Sequence, residues 1–340
     1  MKLTSEVSID DEIDNPRRVR RHVVLLGAGA SCAATPTGDA SGRRLPVMAN
    51  FVETLGLGQL LDRAGIEWST KSFEDLYSEI ALDTARVELR GALEEAIESY
   101  FAALSLPDTP TTYDYLVLGL REKDVIATFN WDPFLIQALR RSMHVSESLP
   151  YLIFLHGCVN HGFCAQDQIS GFRGRRCSKC SNEFAPDRLL FPIAKKNYSS
   201  SPEIAFAWSA VRKALKDSRM FTIFGYGAPK SDGDAVALLK SAWGGKKARQ
   251  FEQIEIVDLR PRDELAESWA AFIHTHHYDV FSDFHDSFIA KHPRRSIEAF
   301  QNQYLDAKFI EDNSAPRGVE LATLHSWYER LVRAERSANV

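Results

Sequence analysis

VVLLGAGAS, residues Val23–Ser31, decides the fold. Val23, Val24, Leu25 and Leu26 form an unbroken apolar run, the pattern of a strand buried on both faces of a parallel sheet. Gly27-Ala28-Gly29-Ala30-Ser31 then ends the run with small residues, which allow close backbone approach at a turn. Two readings of the turn stay open: a phosphate or dinucleotide turn, or a tight strand-to-helix connection. The third small residue of the usual dinucleotide fingerprint is Cys32 here.

Working outward, further apolar runs occur at Asp124–Thr128, Tyr151–Leu155, Met220–Phe224 and Gln253–Val257, with Leu189–Ile193 a candidate short strand. Helical spacing lies between them. Pro46 suits a helix start, Phe73–Leu104 repeats apolar residues every three or four, and Pro202–Lys216, Arg262–Ile273 and Val319–Arg333 read as helices. Asp132 suits a helix N-cap, with Pro133 at the first helical position. Strands alternating with helices predict an α/β fold with a doubly wound, mostly parallel, Rossmann-like sheet. The expected organisation is a flexible acidic tail over 1–18, a catalytic domain over 19–280 and a helical extension over 281–340. Within the domain, a helical insertion is expected near 45–122 and a small zinc knuckle near 157–185.

Composition narrows the class. The 340 residues are 44% hydrophobic and 26% charged, enough for a large core without disulfides. Forty-one basic against 46 acidic residues give a formal charge of −5, so no global basic field favours nucleic acid or anionic membrane. No apolar run reaches the roughly 18 residues of a membrane span. A cytoplasmic location is expected, because the N-terminal SEVSIDDEIDNP is acidic and polar, unlike a signal peptide, and three of the five cysteines cluster in Cys164–Cys180 as in a metal site of a reducing compartment. His161-x2-Cys164 and Cys177-x2-Cys180 supply four N/S ligands for a structural zinc, with Cys158 as an alternative to His161. Arg173, Arg175, Arg176 and Lys179 make the knuckle locally basic, a pattern more often solvated surface than a nucleic-acid contact.

Ligands of such sheets bind beyond the carboxyl ends of the strands. The groups expected there are Gly27–Ser31, Asn130 with Asp132, His156, Gly225 with Tyr226, and Asp258. Taken singly, Asn130 could stabilise a turn and His156 could be a satisfied core histidine.

In order, GAGAS, Thr128-Phe-Asn-Trp-Asp132, Leu155-His-Gly157, Phe224-Gly-Tyr-Gly-Ala-Pro229 and Ile256-Val-Asp258 resemble the signature of sirtuin-like (silent information regulator) domains. The resemblance spans about Val19 to Arg262 and is closest to bacterial branches that hydrolyse NAD in antiphage defence. It implies NAD as the small-molecule substrate and structural Zn2+. Gly27, Ala28, Gly29 and Ser31 would cradle the pyrophosphate, with Thr128, Gly225 and Tyr226 also in the NAD site and Asp258 on the adenosine ribose. Asn130 and Asp132 would grip nicotinamide and its ribose, and His156 would be the base. Three features depart from the deacylase branch: Phe129 stands where that branch has Gln, Thr35–Arg44 differs from its Gly-Ile-Pro-Asp-Phe-Arg-like loop after the first glycines, and the Phe-Gly-Glu segment that holds an acyl-lysine peptide is missing. The implied reaction is therefore hydrolysis of NAD to nicotinamide and ADP-ribose; deacylation, ADP-ribosyl transfer or a non-catalytic NAD or ADP-ribose sensor are the alternatives. A homo-oligomer or a defence-system partner protein is also implied.

Overall fold

Six parallel strands carry the molecule: β1 (Arg21–Leu26), β2 (Val125–Thr128), β3 (Tyr151–Phe154), β4 (Ser218–Phe224), β5 (Gln253–Val257) and β6 (Tyr278–Phe281). The computed structural model describes residues 6–193, 198, 201–228, 232–249, 251–274 and 277–338. The strand order is β3-β2-β1-β4-β5-β6, the doubly wound order in which the chain reverses direction between β1 and β4. That reversal opens a crevice at the carboxyl ends of these two strands.

Period-two alternation divides the sheet into two cores. Val24, Leu26, Ile126, Phe154 and Phe224 face one layer of helices; Val23, Leu25, Ala127, Ile153 and Ile223 face the other. All four residues of the opening run are fully buried, and each contributes at most about 1.5–3 kcal/mol by leaving water. The second layer consists of Pro202–Lys216, Gly233–Trp243 and Arg262–Ser268. The first holds Phe73–Leu82, Val87–Ala102, Thr112–Leu118 and Phe134–Ser142, with Leu321–Ala338 from the C-terminus.

Several sequence expectations change. The helical stretch Phe73–Leu104 breaks at Asp83, whose carboxylate caps the next turn by accepting from the Ala85 amide at 2.9 Å. Leu189–Ile193 is irregular; the Leu190 amide donates to the His156 carbonyl at 2.9 Å instead of joining a ladder. The helix after Asp132 begins at Phe134, one residue later than Pro133 suggests. β6 has no counterpart among the expected strands.

The expected flexible tail is folded from Glu6 onward. Glu6–Val7 pairs in parallel with Phe309–Ile310, and Ser8 caps the helix Ile9–Asp14. Ile13 is buried, and the carbonyls of Glu12 and Ile13 accept from Arg295 at 3.1 and 3.0 Å. Arg330 binds Asp10 and Asp14, so the acidic residues that suggested a solvated tail face a cation of the last helix.

Candidate active site

A cavity of about 310 Å³ occupies the crevice. Its wall includes Gly27, Ala28 and Ser31 after β1; Phe129–Asp132 after β2; His156 after β3; and Gly225–Gly227 with Asp232 after β4. Three of the proposed chemical groups, Asn130, Asp132 and His156, therefore meet in one place although 26 residues separate the first from the last.

Short polar contacts fix the first two. The Asn130 Nδ2 group donates to the Gly27 carbonyl and to Ser31 Oγ, each at 2.8 Å. These use both amide hydrogens, which leaves the carbonyl oxygen of the side chain as the group that can accept from a ligand hydroxyl. Ser31 Oγ donates in turn to Asp132 Oδ2 at 2.7 Å and lies 2.7 Å from the Tyr113 hydroxyl. Asp132 Oδ1 accepts from the Phe134 amide at 3.2 Å, so this carboxylate both caps a helix and faces the cavity. Burial pushes its carboxyl up to about 6, against the stabilising hydrogen bonds of Ser31 and the Phe134 amide. Burial likewise holds the Tyr113 phenol well above its ordinary value, so it stays a neutral hydroxyl.

His156 is buried beside an aromatic column. Its ring meets Phe129 edge-on at 4.7 Å between centroids, and Phe129 stacks on Tyr226 at 4.4 Å. Tyr226 donates to Asp232 Oδ2 at 2.9 Å. Tyr113 and Asp232 are absent from the sequence reading: Tyr113 lies on the helix Thr112–Leu118, and Asp232 directly precedes the helix Gly233–Trp243, outside the quoted motifs. A tyrosine and an aspartate at such positions carry no local signal.

The backbone of the glycine turn is tied to the neighbouring turn after β4. The Gly27 amide donates to the Phe224 carbonyl at 3.0 Å, Gly29 to Gly225 at 2.9 Å, and Ala30 to Gly27 at 3.0 Å. These three N–H groups are bonded inside the protein. The glycines are needed because two turns cross here: a Cβ on Gly29 would stand 2.8 Å from Gly225 Cα. Gly225 has φ +61, and a Cβ on it would lie 2.2 Å from the Ala30 nitrogen. The tight strand-to-helix reading of GAGAS thus accounts for its glycines, while Gly27, Ala28 and Ser31 still border the cavity. Thr128 is buried and accepts the Asn130 amide at 3.0 Å, a supporting contact outside the cavity wall. Asp258 stands at the end of β5, one strand beyond the crevice, and is clasped by Arg260 at 3.0 and 3.2 Å.

The knuckle is a three-stranded antiparallel sheet, His161–Cys164, Ile169–Phe172 and Ala185–Pro186. At its tip the ligand atoms of Cys164, Asp167, Cys177 and Cys180 all lie within 4.8 Å of one another. Four donors set tetrahedrally about 2.3 Å from one centre stand about 3.8 Å apart. The Cys164 and Cys180 sulfurs are 3.5 Å apart, and Asp167 Oδ2 is 3.1 Å from the Cys177 sulfur. Three thiols and a carboxylate at these separations fit a structural zinc with a closed coordination shell.

His161 is not part of this group. Residues 161–164 form a strand, so His161 and Cys164, three apart, point to opposite faces. His161 Nδ1 bonds Asp187 at 2.7 Å and its ring lies against Phe154, while Asp167 in the turn after the strand supplies the fourth donor. Cys158 is remote from the cluster as well, its thiol directed to the Asp132 carbonyl at 3.4 Å.

No family model matches the chain, and no curated protein matches it. Among solved structures it is similar to a Sir2 enzyme described for mechanism and regulation, at 13% identity over 95% of this chain and 94% of that one, TM-score 0.40. It is also similar to a Sir2 homologue in complex with NAD, at 14% identity over 83% and 91%, TM-score 0.43. A sirtuin studied for substrate affinity gives 16% identity over 82% and 94%, TM-score 0.40.

Proposed function

We propose that this chain is an NAD-cleaving enzyme that releases nicotinamide and transfers ADP-ribose to water. The observation that carries the reading is the convergence of Asn130, Asp132 and His156 on one cavity at the topological switch point, where a doubly wound sheet places its ligand. The order of the strand-end motifs, similar to that of sirtuin-like domains, supplies the identity of the substrate.

Breaking the bond between nicotinamide and ribose leaves positive charge at the anomeric carbon. A fixed carboxylate lowers the barrier to that charge, and Asp132, held by Ser31 and the Phe134 amide, needs no reorganisation to do so. The Asn130 side-chain oxygen accepts a ribose hydroxyl and fixes the sugar; His156 takes the proton as water adds. The adenosine end runs outward along the strand ends, toward Asp258. Depletion of NAD in antiphage defence is the physiological role that belongs to this reading, and the zinc knuckle serves shape, not chemistry.

The test is product analysis. Purified chain incubated with NAD alone is expected to yield nicotinamide and ADP-ribose, and an added acyl-lysine peptide is expected to give no acylated ADP-ribose. Consumption of NAD only in the presence of the peptide would assign deacylation instead.

A further inference from the structure

The cavity lies at the carboxyl ends of the strands, whereas the amino ends of β1, β4 and β5 gather basic residues. β4 spans seven residues, so the two ends stand roughly 20 Å apart. Arg249 holds the basic end together. Its buried guanidinium donates to the carbonyls of Trp243, Leu215, Lys216 and Ser218, the last at 2.8 Å, and lies over the Trp243 ring at 4.2 Å from the centroid. The ends of the helices Pro202–Lys216 and Gly233–Trp243 are thereby fixed beside the start of β4. Arg20, just before β1, joins them by donating to the Asp217 carbonyl at 3.2 Å.

Cations outnumber carboxylates on this face. Glu252 is shared by the guanidinium groups of Arg20, Arg219 and Arg249 at 3.0, 3.7 and 3.9 Å, and Asp217 pairs with Arg21 at 3.2 Å. Arg219 Nε is buried without a hydrogen-bond partner among the described residues. Around this cluster Arg212, Lys213, Lys216, Lys240, Lys246 and Lys247 are exposed, and among the described residues none has a carboxylate partner. The negative end of a helix dipole attracts cations, which accounts for Lys213, Lys216 and Lys240 in last turns. It does not account for Arg20, Arg21 and Arg219 at strand starts, nor for Lys246 and Lys247 in the turn after Trp243. Since the whole chain carries a formal charge of −5, the positive field is confined to this face and steers only what docks there.

Phe251 stands within the cluster, 56% exposed, its carbonyl accepting from Arg219 at 3.4 Å. One ring among cations is a poor anchor for a lipid surface, which takes a whole apolar face. It is a stacking platform for an unpaired base whose backbone is neutralised alongside. We infer that this face binds single-stranded nucleic acid, with the exposed cations of the two helix ends and of the Lys246–Lys247 turn on its phosphates and Phe251 against a base. The contact is independent of the NAD reading, because none of its residues lines the cavity.

Fluorescence anisotropy of the full chain with a labelled oligothymidylate, repeated across a salt series, tests the assignment. The slope of log K against log salt should be about −3, as for about four phosphates engaged. Lys246→Glu combined with Lys247→Glu should lower affinity about tenfold or more and reduce the magnitude of the slope by about 1, with the unfolding midpoint unchanged. Phe251→Ala should weaken binding about fivefold or more at an unchanged slope. Arg175→Glu with Arg176→Glu, on the knuckle, should leave both quantities as they are. No binding at low salt, binding that the Lys246 and Lys247 reversals do not weaken, or loss of binding in the knuckle variant overturns the inference. So does tighter binding of phosphatidylserine vesicles or of polyglutamate than of the oligonucleotide, which would assign the face to a lipid surface or to an acidic protein. Duplex bound as tightly as the single strand, with no effect of Phe251→Ala, overturns the choice of an unpaired strand.

Discussion

Burial lifts the Asp132 carboxyl from 3.8 to about 6, and that shift makes a stability prediction with a definite sign. Because the folded value exceeds the unfolded one, the contribution is fully present below pH 3.8 and is lost as pH rises through about 6. Two pH units correspond to about 3 kcal/mol. Asp132→Asn should therefore raise the denaturation midpoint at pH 7 and flatten the pH dependence between 4 and 6, as measured by urea unfolding across that range. Activity should move the other way: kcat/KM of the wild type should climb as Asp132 ionises near pH 6, and the variant should lose most turnover. Asn130, Asp132 and His156 were legible in the sequence because each directly follows an apolar strand. Tyr113 was not, since its hydroxyl reaches Ser31 across 82 residues and only the packing of the helix Thr112–Leu118 brings them together.

The crossing of the two glycine turns is a property of elements. Gly225→Ala adds a Cβ against the Ala30 nitrogen in a backbone conformation with φ +61, so both strand ends must shift. A loss of about 2 kcal/mol or more in unfolding free energy is expected, with the same direction for Gly29→Ala. The five strands read from apolar runs are all present, but β6, Tyr278–Phe281, is short and only half-buried, so its residues lack the continuous apolar signal of a central strand. The knuckle shows the opposite limit. Paired-ligand spacing located the metal cluster but assumed a turn at His161–Cys164, where a strand places the two residues on opposite faces. Elemental analysis of reduced protein should find about one zinc per chain, retained by His161→Ala and lost or weakened in Cys177→Ser and Asp167→Ala. Metal retention by Asp167→Ala with loss in His161→Ala would restore the histidine as ligand.

At the scale of the whole molecule, the two termini close one side of the fold. Arg294 and Arg295 are fully buried on Glu335 of the last helix, with Arg294 Nε at 2.8 Å from Oε1, and Arg121 meets Glu298 at 2.6 Å. Glu335→Gln would leave two buried guanidinium groups facing a neutral amide, a change expected to cost about 3 kcal/mol or more. Thermal unfolding should show that loss while the metal content stays constant, because the knuckle has its own small core. None of this ion network was readable from the sequence, where the acidic N-terminus resembles a solvated tail until its partners are in place. The claim on which the account turns is that the switch-point cavity is where the bond between nicotinamide and ribose breaks. The most direct measurement is the rate of nicotinamide release from NAD by His156→Ala beside the wild type, with both confirmed folded by their unfolding midpoints. Loss of a positioned base predicts a fall of about 100- to 10,000-fold in kcat with a KM changed only a few-fold; a folded His156→Ala protein that releases nicotinamide at the wild-type rate would contradict it.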